Sequence, residues 1–239
     1  MTEPIQPPST IAIDGPAASG KSTIGYYLAC HLNYLYLDTG ILYRAATWAA
    51  LEKKLPIEDE AAVTALAEAL VIDVLPPTAA DGRQYTVRVW NRDITWALRA
   101  PEVEHAVSPV SAYPGVRDAL TRQMREIGRR GKVVMVGRDI GTVVLPDADM
   151  KLYVVASAEI RAQRRLLDRQ AQGDATTYEA MLADICRRDA IDSGRDAAPL
   201  RPAEDAIIFD NTHMTKEAMF DAVMQLVEKH LGKPEPARR

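Results

Sequence analysis

The sequence predicts an α/β fold, with a mostly parallel central sheet covered by helices on both faces. Three observations carry that reading. Short apolar or β-branched runs alternate with stretches of helical periodicity. The runs at 11–13, 132–136 and 150–155 are nearly unbroken, as in strands buried on both faces. A glycine-rich loop joins the first run to the first helical stretch.

Each element follows in order. Residues 1–9 are polar and Pro-rich, an unstructured lead-in. Ile11-Ala12-Ile13 enters the glycine loop as a strand, and a helix is expected from Lys21 to about His31 because Ile24, Tyr27 and Leu28 recur at its spacing. A second strand covers 34–37. The next helix follows Gly40, with Leu42, Ala45, Ala46 and Ala49 on one face, and 58–70 forms an alanine-rich helix. The pattern then changes. Two β-like runs, 72–74 and 85–90, flank the turn-rich 76–82, so about 71–98 reads as a small antiparallel insert. Pro101 suits a helix start, and two helices between 101 and 130 break at Pro114-Gly115. Strands are expected at 132–136, 150–155 and 206–209, and helices at 158–172, 176–192 and 215–231. The tail 233–239 is expected to be disordered. No internal repeat is visible, and 1–239 reads as one domain with its core at about 10–70 and 100–230.

Composition narrows the function. Apolar residues make up 47% and charged residues 26%, which is ordinary for a globular protein. A net charge of −4 and only 6% aromatic residues argue against nucleic acid as a partner. Arginines nevertheless crowd 117–201, which suits planar contacts to phosphates or carboxylates as well as a solvated helical surface. Cys30 and Cys186 lie far apart inside helical patterns and are expected to be buried free thiols. The four histidines lack metal-ligand spacing. The first ten residues have no apolar signal-peptide core, and no apolar run approaches the roughly 18 residues of a membrane span. A cytoplasmic setting without membrane attachment is expected.

The loop Gly15-Pro16-Ala17-Ala18-Ser19-Gly20-Lys21-Ser22, followed by Thr23, satisfies G-x4-G-K-[ST] between a strand and a helix. Glycines allow the tight turns through which successive N–H groups face phosphate oxygens, and the helix N-terminus adds roughly half a positive charge. Lys21 suits the β and γ phosphates of ATP, and the Ser22 hydroxyl suits Mg²⁺. This cradle alone does not separate kinases from GTPase switches, motors or ATPases.

Further motifs suggest an acceptor. In Asp38-Thr39-Gly40-Ile41-Leu42-Tyr43-Arg44, Asp38 and Thr39 can cap the helix, while Tyr43 and Arg44 suit an acceptor phosphate. Gly137-Arg138-Asp139-Ile140-Gly141-Thr142 follows a strand at its carboxyl end, where ligands bind in open α/β sheets. The alternative for its Arg-Asp pair is a structural ion pair, although glycines flank it on both sides. Arg161 and Arg165 share a helical face, with Arg164 beside them; they read as cover for a γ-phosphate or as a solvated face. Arg188 and Asp192 share another face with Arg195 a turn further on, either as helix support or as a grip on a sugar diol and a base edge.

Taken in this order, these motifs closely resemble bacterial cytidylate kinase, the (d)CMP kinase of the nucleoside monophosphate kinase group. The likeness covers about residues 10–230, including Pro101-Glu102-Val103, Ser108 and Ala198-Pro199-Leu200. The resemblance implies a P-loop kinase three-layer fold in which 157–173 forms a helical lid. It implies a monomer that phosphorylates CMP or dCMP with ATP and Mg²⁺, by in-line transfer without a general base. Thr39, Tyr43, Arg44 and Arg138 would contact the acceptor phosphate. Ser108, Arg117, Asp139 and Arg195 would read cytosine, and Arg188 and Asp192 would contact the sugar. Lys21, Arg138, Arg161 and Arg165 would carry the transfer itself. One departure stands out: the family usually carries an acid directly before Gly-Arg-Asp, where this chain has Val136. The rivals are another small-molecule P-loop kinase, or a nucleotide-dependent switch without an acceptor pocket.

Overall fold

The computed structural model describes residues 9–171, 175–194 and 198–231. The N-terminal elements are β1 (Thr10–Asp14), α1 (Lys21–Leu32), β2 (Leu35–Asp38), α2 (Gly40–Glu52) and α3 (Glu60–Ala69). The middle of the chain forms β3 (Ile72–Leu75), β4 (Thr86–Val89), β5 (Arg92–Asp93), α4 (Pro101–Ala112), α5 (Pro114–Arg129) and β6 (Val133–Gly137). A π-helical turn (Ile140–Val144) precedes β7 (Met150–Val155), α6 (Ala158–Gln170), α7 (Tyr178–Ser193), β8 (Ile207–Asp210) and α8 (Lys216–Leu231). These bounds agree with the expected elements to within about two residues. The predicted tail and most of the lead-in lie outside the described residues. Chain contacts define two units, Met1–Tyr34 with Val134–Arg239, and Leu35–Val133.

In the first unit the strand order is β6-β1-β7-β8. β1 runs parallel to β7, with Ile11 opposite Met150 and Asp14 opposite Tyr153, and β7 runs parallel to β8. Ile11, Ala12, Ile13 and Val134, Met135 and Val136 have no exposed surface, so these strands are covered on both faces. Tyr27 of α1 stacks on Phe220 of α8 with ring centroids 3.9 Å apart. Between α6 and α7, Ala162, Met181 and Ile185 form a buried cluster that takes in Ala17 of the glycine loop. Ser157 caps α6 through the Ile160 N–H, and Thr177 caps α7 through the Ala180 N–H.

Both cysteines are exposed, contrary to expectation. Each does sit in a helix, but one residue past its buried stripe. Ile24, Leu28 and Ala29 face the core of α1, and Met181 and Ile185 that of α7. The next position is turned about 100° away from such a stripe.

The second unit holds the expected antiparallel insert, with strand order β3-β4-β5 and Ile72 opposite Val89. Its third strand, β5, was not anticipated. A two-residue turn makes it: Trp90 and Asn91 both adopt positive φ, 51° and 61°, while Val89 pairs with Arg92. That is hairpin geometry usually signalled by Asn-Gly, and a tryptophan there conceals it. Arg83 braces the loop through Asp81 at 2.7 Å and Asp93 at 2.5 Å. The side-chain cap suggested for Thr39 is not made; Asp38 Oδ1 accepts the Gly40 N–H at 3.1 Å instead.

Helices α3 and α5 meet at a glycine. A Cβ on Gly115 would lie 2.3 Å from Thr64 Cγ2, and the Thr64 hydroxyl is buried without a hydrogen-bond partner. Gly115→Ala should therefore destabilise by about 1–3 kcal/mol through overpacking. With Thr64→Ala also present only the residue-64 Cβ remains close, at 3.3 Å, so the cost of Gly115→Ala should fall below about 1 kcal/mol. Urea denaturation of the four proteins checks the drop.

Candidate active site

The glycine loop leaves β1 by a sharp turn. Gly15 has φ 152°, and a Cβ there would stand 2.2 Å from the Val154 carbonyl oxygen. Gly20, with φ 91°, opens α1, so the first helical residue is Lys21. Ala18 also takes positive φ, 59°. Three loop carbonyls have buried side-chain donors. Lys21 Nζ donates to Pro16 O at 2.9 Å, Arg161 Nη1 to Ala17 O at 3.2 Å, and Asn211 Nδ2 to Ser19 O at 2.8 Å. In a trans peptide the C=O and the following N–H point to opposite sides. Each held carbonyl sets the plane of its peptide, so the following N–H, of Ala17, Ala18 or Gly20, points away from that donor; N–H groups so directed are what an anion-binding loop offers. Ser22 is partly exposed and Thr23 exposed, on the first turn of α1.

Asp14 ends β1 directly before the loop and is 4% exposed. Its two oxygens accept the N–H groups of Ile140 at 2.8 Å and Gly141 at 2.7 Å. One carboxylate thus binds the turn after Gly137-Arg138-Asp139 to the residue that begins the phosphate loop. Burial pushes its pKa up from the ordinary 3.8 to about 6; the two N–H groups and Lys21 oppose this, and Asp139 adds to it.

The arginines do not line an open face. Arg161 is 4% exposed; it donates to Ala156 O at 2.9 Å and makes a two-pronged pair with Asp189, at 3.0 and 2.6 Å. Arg161 and Arg165, like charges one turn apart, would repel, and Asp189 compensates the first. Arg164 is gripped by Asn211, through its side-chain oxygen at 2.9 Å and its main-chain oxygen at 3.0 Å. Arg165 is half-buried. On α7, Arg188 pairs with Asp184 at 2.9 Å, one turn earlier, rather than with Asp192. Asp192 is buried and bonded to Arg138 Nε, which joins two predicted site residues. Asp139 is half-buried, and Arg195 lies outside the described residues.

In the second unit, Thr39 is buried, and Arg44 pairs with Glu104 at 2.6 Å while reaching Leu98 O at 3.4 Å. The Arg117 guanidinium lies 5.7 Å from the Tyr43 ring centroid. Ser108 is exposed, and its carbonyl accepts the Ser111 hydroxyl at 2.9 Å. Tyr43, Arg44 and Arg117 are thus gathered on α2 and α5 with Glu104 of α4.

The cytidylate kinase family model matches residues 11–229. The cytidylate kinase of Herpetosiphon aurantiacus is 52% identical over 92% of this chain and 94% of its own length. That of Chloroflexus aggregans is 52% identical over 87% and 89%, and that of Bacillus licheniformis 42% over 93% and 97%. The chain belongs to the cytidylate kinase family.

Membership makes Val136 worth locating. It is fully buried in β6, where a carboxylate would be costly without partners. A buried acid does end β1: Asp14, whose oxygens are taken up by backbone N–H groups. Among the described residues no three His, Cys, Asp or Glu side chains gather as a metal cage. Mg²⁺ in phosphoryl-transfer sites keeps several waters and takes oxygens largely from the nucleotide, so a single hydroxyl such as Ser22 fits that mode.

Asp14, Glu104, Asp189 and Asn211 escaped the reading of the sequence. Only Asp14 had a visible signal, a charge closing an apolar strand immediately before Gly15.

Asp14 supplies a pH prediction. The amide resonances of Ile140 and Gly141 should titrate with a midpoint near 6. Between 3.8 and about 6 the folded chain holds a proton that the unfolded chain has released. Asp14's contribution to stability therefore falls as pH rises through that window and levels off above it. A midpoint below about 4.5, near the unperturbed carboxylate range, would contradict this placement.

Proposed function

We propose that this chain transfers the γ-phosphoryl group of ATP to CMP and dCMP, giving ADP and the corresponding diphosphate. The observation that carries the proposal is a phosphate loop with its carbonyls held by buried donors, in a chain of the cytidylate kinase family. The Gly15–Ser22 loop and Thr23 receive the phosphates of ATP. Lys21 exchanges its bond to Pro16 O for the β and γ phosphates. Ser22 would hold Mg²⁺, which neutralises charge on the phosphates when bound.

The acceptor is an ionised phosphate oxygen, so attack on the γ-phosphorus needs no general base. The bond to the β-γ bridging oxygen breaks as the new P–O bond forms, and ADP leaves with the electron pair. Positioning and charge neutralisation supply the catalysis. Thr39, Tyr43, Arg44 and Arg138 are proposed for the acceptor phosphate. The Arg44–Glu104 pair is partly exposed, with side chains 29% and 58% accessible, so giving it up for a phosphate costs little. Arg188 and Asp192 are proposed for the sugar, and Ser108, Arg117, Asp139 and Arg195 for cytosine. Arg165 is proposed to reach the γ-phosphate from the lid, while Arg161 acts by holding Ala17 and Asp189. The setting is proposed to be cytoplasmic and the protein a monomer, with no role for nucleic acid or a membrane.

Cytosine offers an amino donor and a ring acceptor where uracil reverses both, so a polar pocket can discriminate by on the order of 10⁴. In a coupled ADP-release assay at equal concentrations, CMP and dCMP should exceed UMP and AMP. Preference for AMP, or indifference among the four, would sink the assignment. ATP binding without CMP-stimulated ADP release would point to a switch instead.

Lys21→Ala should lower turnover by on the order of 10² or more while leaving the melting curve near that of the parent. Near-normal turnover would remove the loop from the mechanism.

A further inference from the structure

We infer that Asn211 is a positioning residue of the phosphate loop, coupling the loop to Arg164 of the lid helix. The residue follows β8 and has no exposed surface. A buried amide is costly unless both its ends are bonded. Here both are. Nδ2 donates to Ser19 O at 2.8 Å, and Oδ1 accepts from Arg164 Nη1 at 2.9 Å. The main chain joins in, because Asn211 O accepts from Arg164 Nη2 at 3.0 Å and Asn211 N donates to Val155 O at 3.0 Å. The residue is thereby anchored to the end of β7 and faces the loop in one orientation.

The Ser19 carbonyl is the one next to the helix N-terminus. Holding it sets the plane of the Ser19–Gly20 peptide and turns the Gly20 N–H to the opposite side. Gly20 itself packs on the amide, since a Cβ there would lie 3.1 Å from Asn211 Nδ2. The Ser19 hydroxyl makes no hydrogen bond and so takes no part in holding this carbonyl. Only a side chain with donor and acceptor side by side satisfies both neighbours. An aspartate would keep the grip of Arg164 but set a carboxylate oxygen against the Ser19 carbonyl oxygen. An alanine would leave the Ser19 carbonyl without its donor, and Arg164 would keep only the main-chain oxygen of residue 211. Arg164 therefore acts on the loop through Asn211, whereas its neighbour Arg165 is the lid arginine proposed for phosphate.

The inference rests on the reading that the loop cradles the phosphates of ATP. The test compares Asn211→Ala, Asn211→Asp, Arg164→Ala, the double variant Asn211→Ala/Arg164→Ala, and Lys21→Ala in the full chain. Losing one partner of a buried hydrogen bond predicts about a tenfold rise in the KM for ATP and in its Kd by calorimetry for Asn211→Ala. Asn211→Asp should do at least as much. The KM for CMP should stay within about twofold, a split that a general loss of structure would not produce. The double variant should be no worse than Asn211→Ala by more than about twofold, because Arg164 works through the same amide. Unchanged ATP constants in both Asn211 variants, or equal rises for ATP and CMP, would overturn the inference. If Asn211→Ala fails to fold, the isosteric Asn211→Asp decides by the same criteria. Should Lys21→Ala keep normal ATP binding and turnover, the reading of the loop fails; should it alone be impaired, only the role of Asn211 fails.

Discussion

A loop that offers its N–H groups to an anion must find partners for its carbonyls elsewhere, and much of the first unit is arranged around that constraint. Pro16, Ala17 and Ser19 each present a carbonyl to a buried cation or amide. The three donors come from separate places: the start of α1, helix α6 and the end of β8. Gly15 lies against the Val154 carbonyl and cannot carry a side chain. The conformation of eight residues is therefore set by β7, α6 and β8 together, and an isolated peptide of the same sequence would have no reason to keep it.

Charge burial follows the same logic. Arg161 with Asp189, Arg138 with Asp192, and Lys151 with Asp205 at 2.7 Å each set a well-buried charge against a partner on another element. Such pairs add little net stability, but losing one member strands the other. They are thus better read as devices for fixing geometry than as a source of stability. Asp14 differs, because backbone N–H groups rather than a cation bond its oxygens, and burial outweighs them. The family likeness leads one to look for an acid at Val136; the structure keeps an apolar strand there and a buried carboxyl at the root of the loop.

Most of the fold was legible because its signals are local. Helical periodicity and β-branched runs place every long element, and Pro101 and Pro114 mark the starts of α4 and α5. What failed was equally physical. β5 depends on Trp90 and Asn91 accepting a left-handed turn, a choice made by cross-strand pairing and not by propensity. The two cysteines fall inside helices, as read, but one position off the buried stripe. Arg161 reads in the sequence as cover for a γ-phosphate or as part of a solvated face, because its compensating partner, Asp189, stands 28 positions away in the chain.

The sequence by itself determined the α/β class, the phosphate loop and the family, since each is written in contiguous residues or in motifs of set spacing. Only the tertiary structure decided which charges are committed and which remain to be exchanged. Arg161 is fully engaged, Arg164 is held by Asn211, and Arg44 rests on a partly exposed glutamate. Spacing along a helix says which side chains share a face. It does not say which partner from another element, tens of residues away, will lie opposite once the apolar faces have packed.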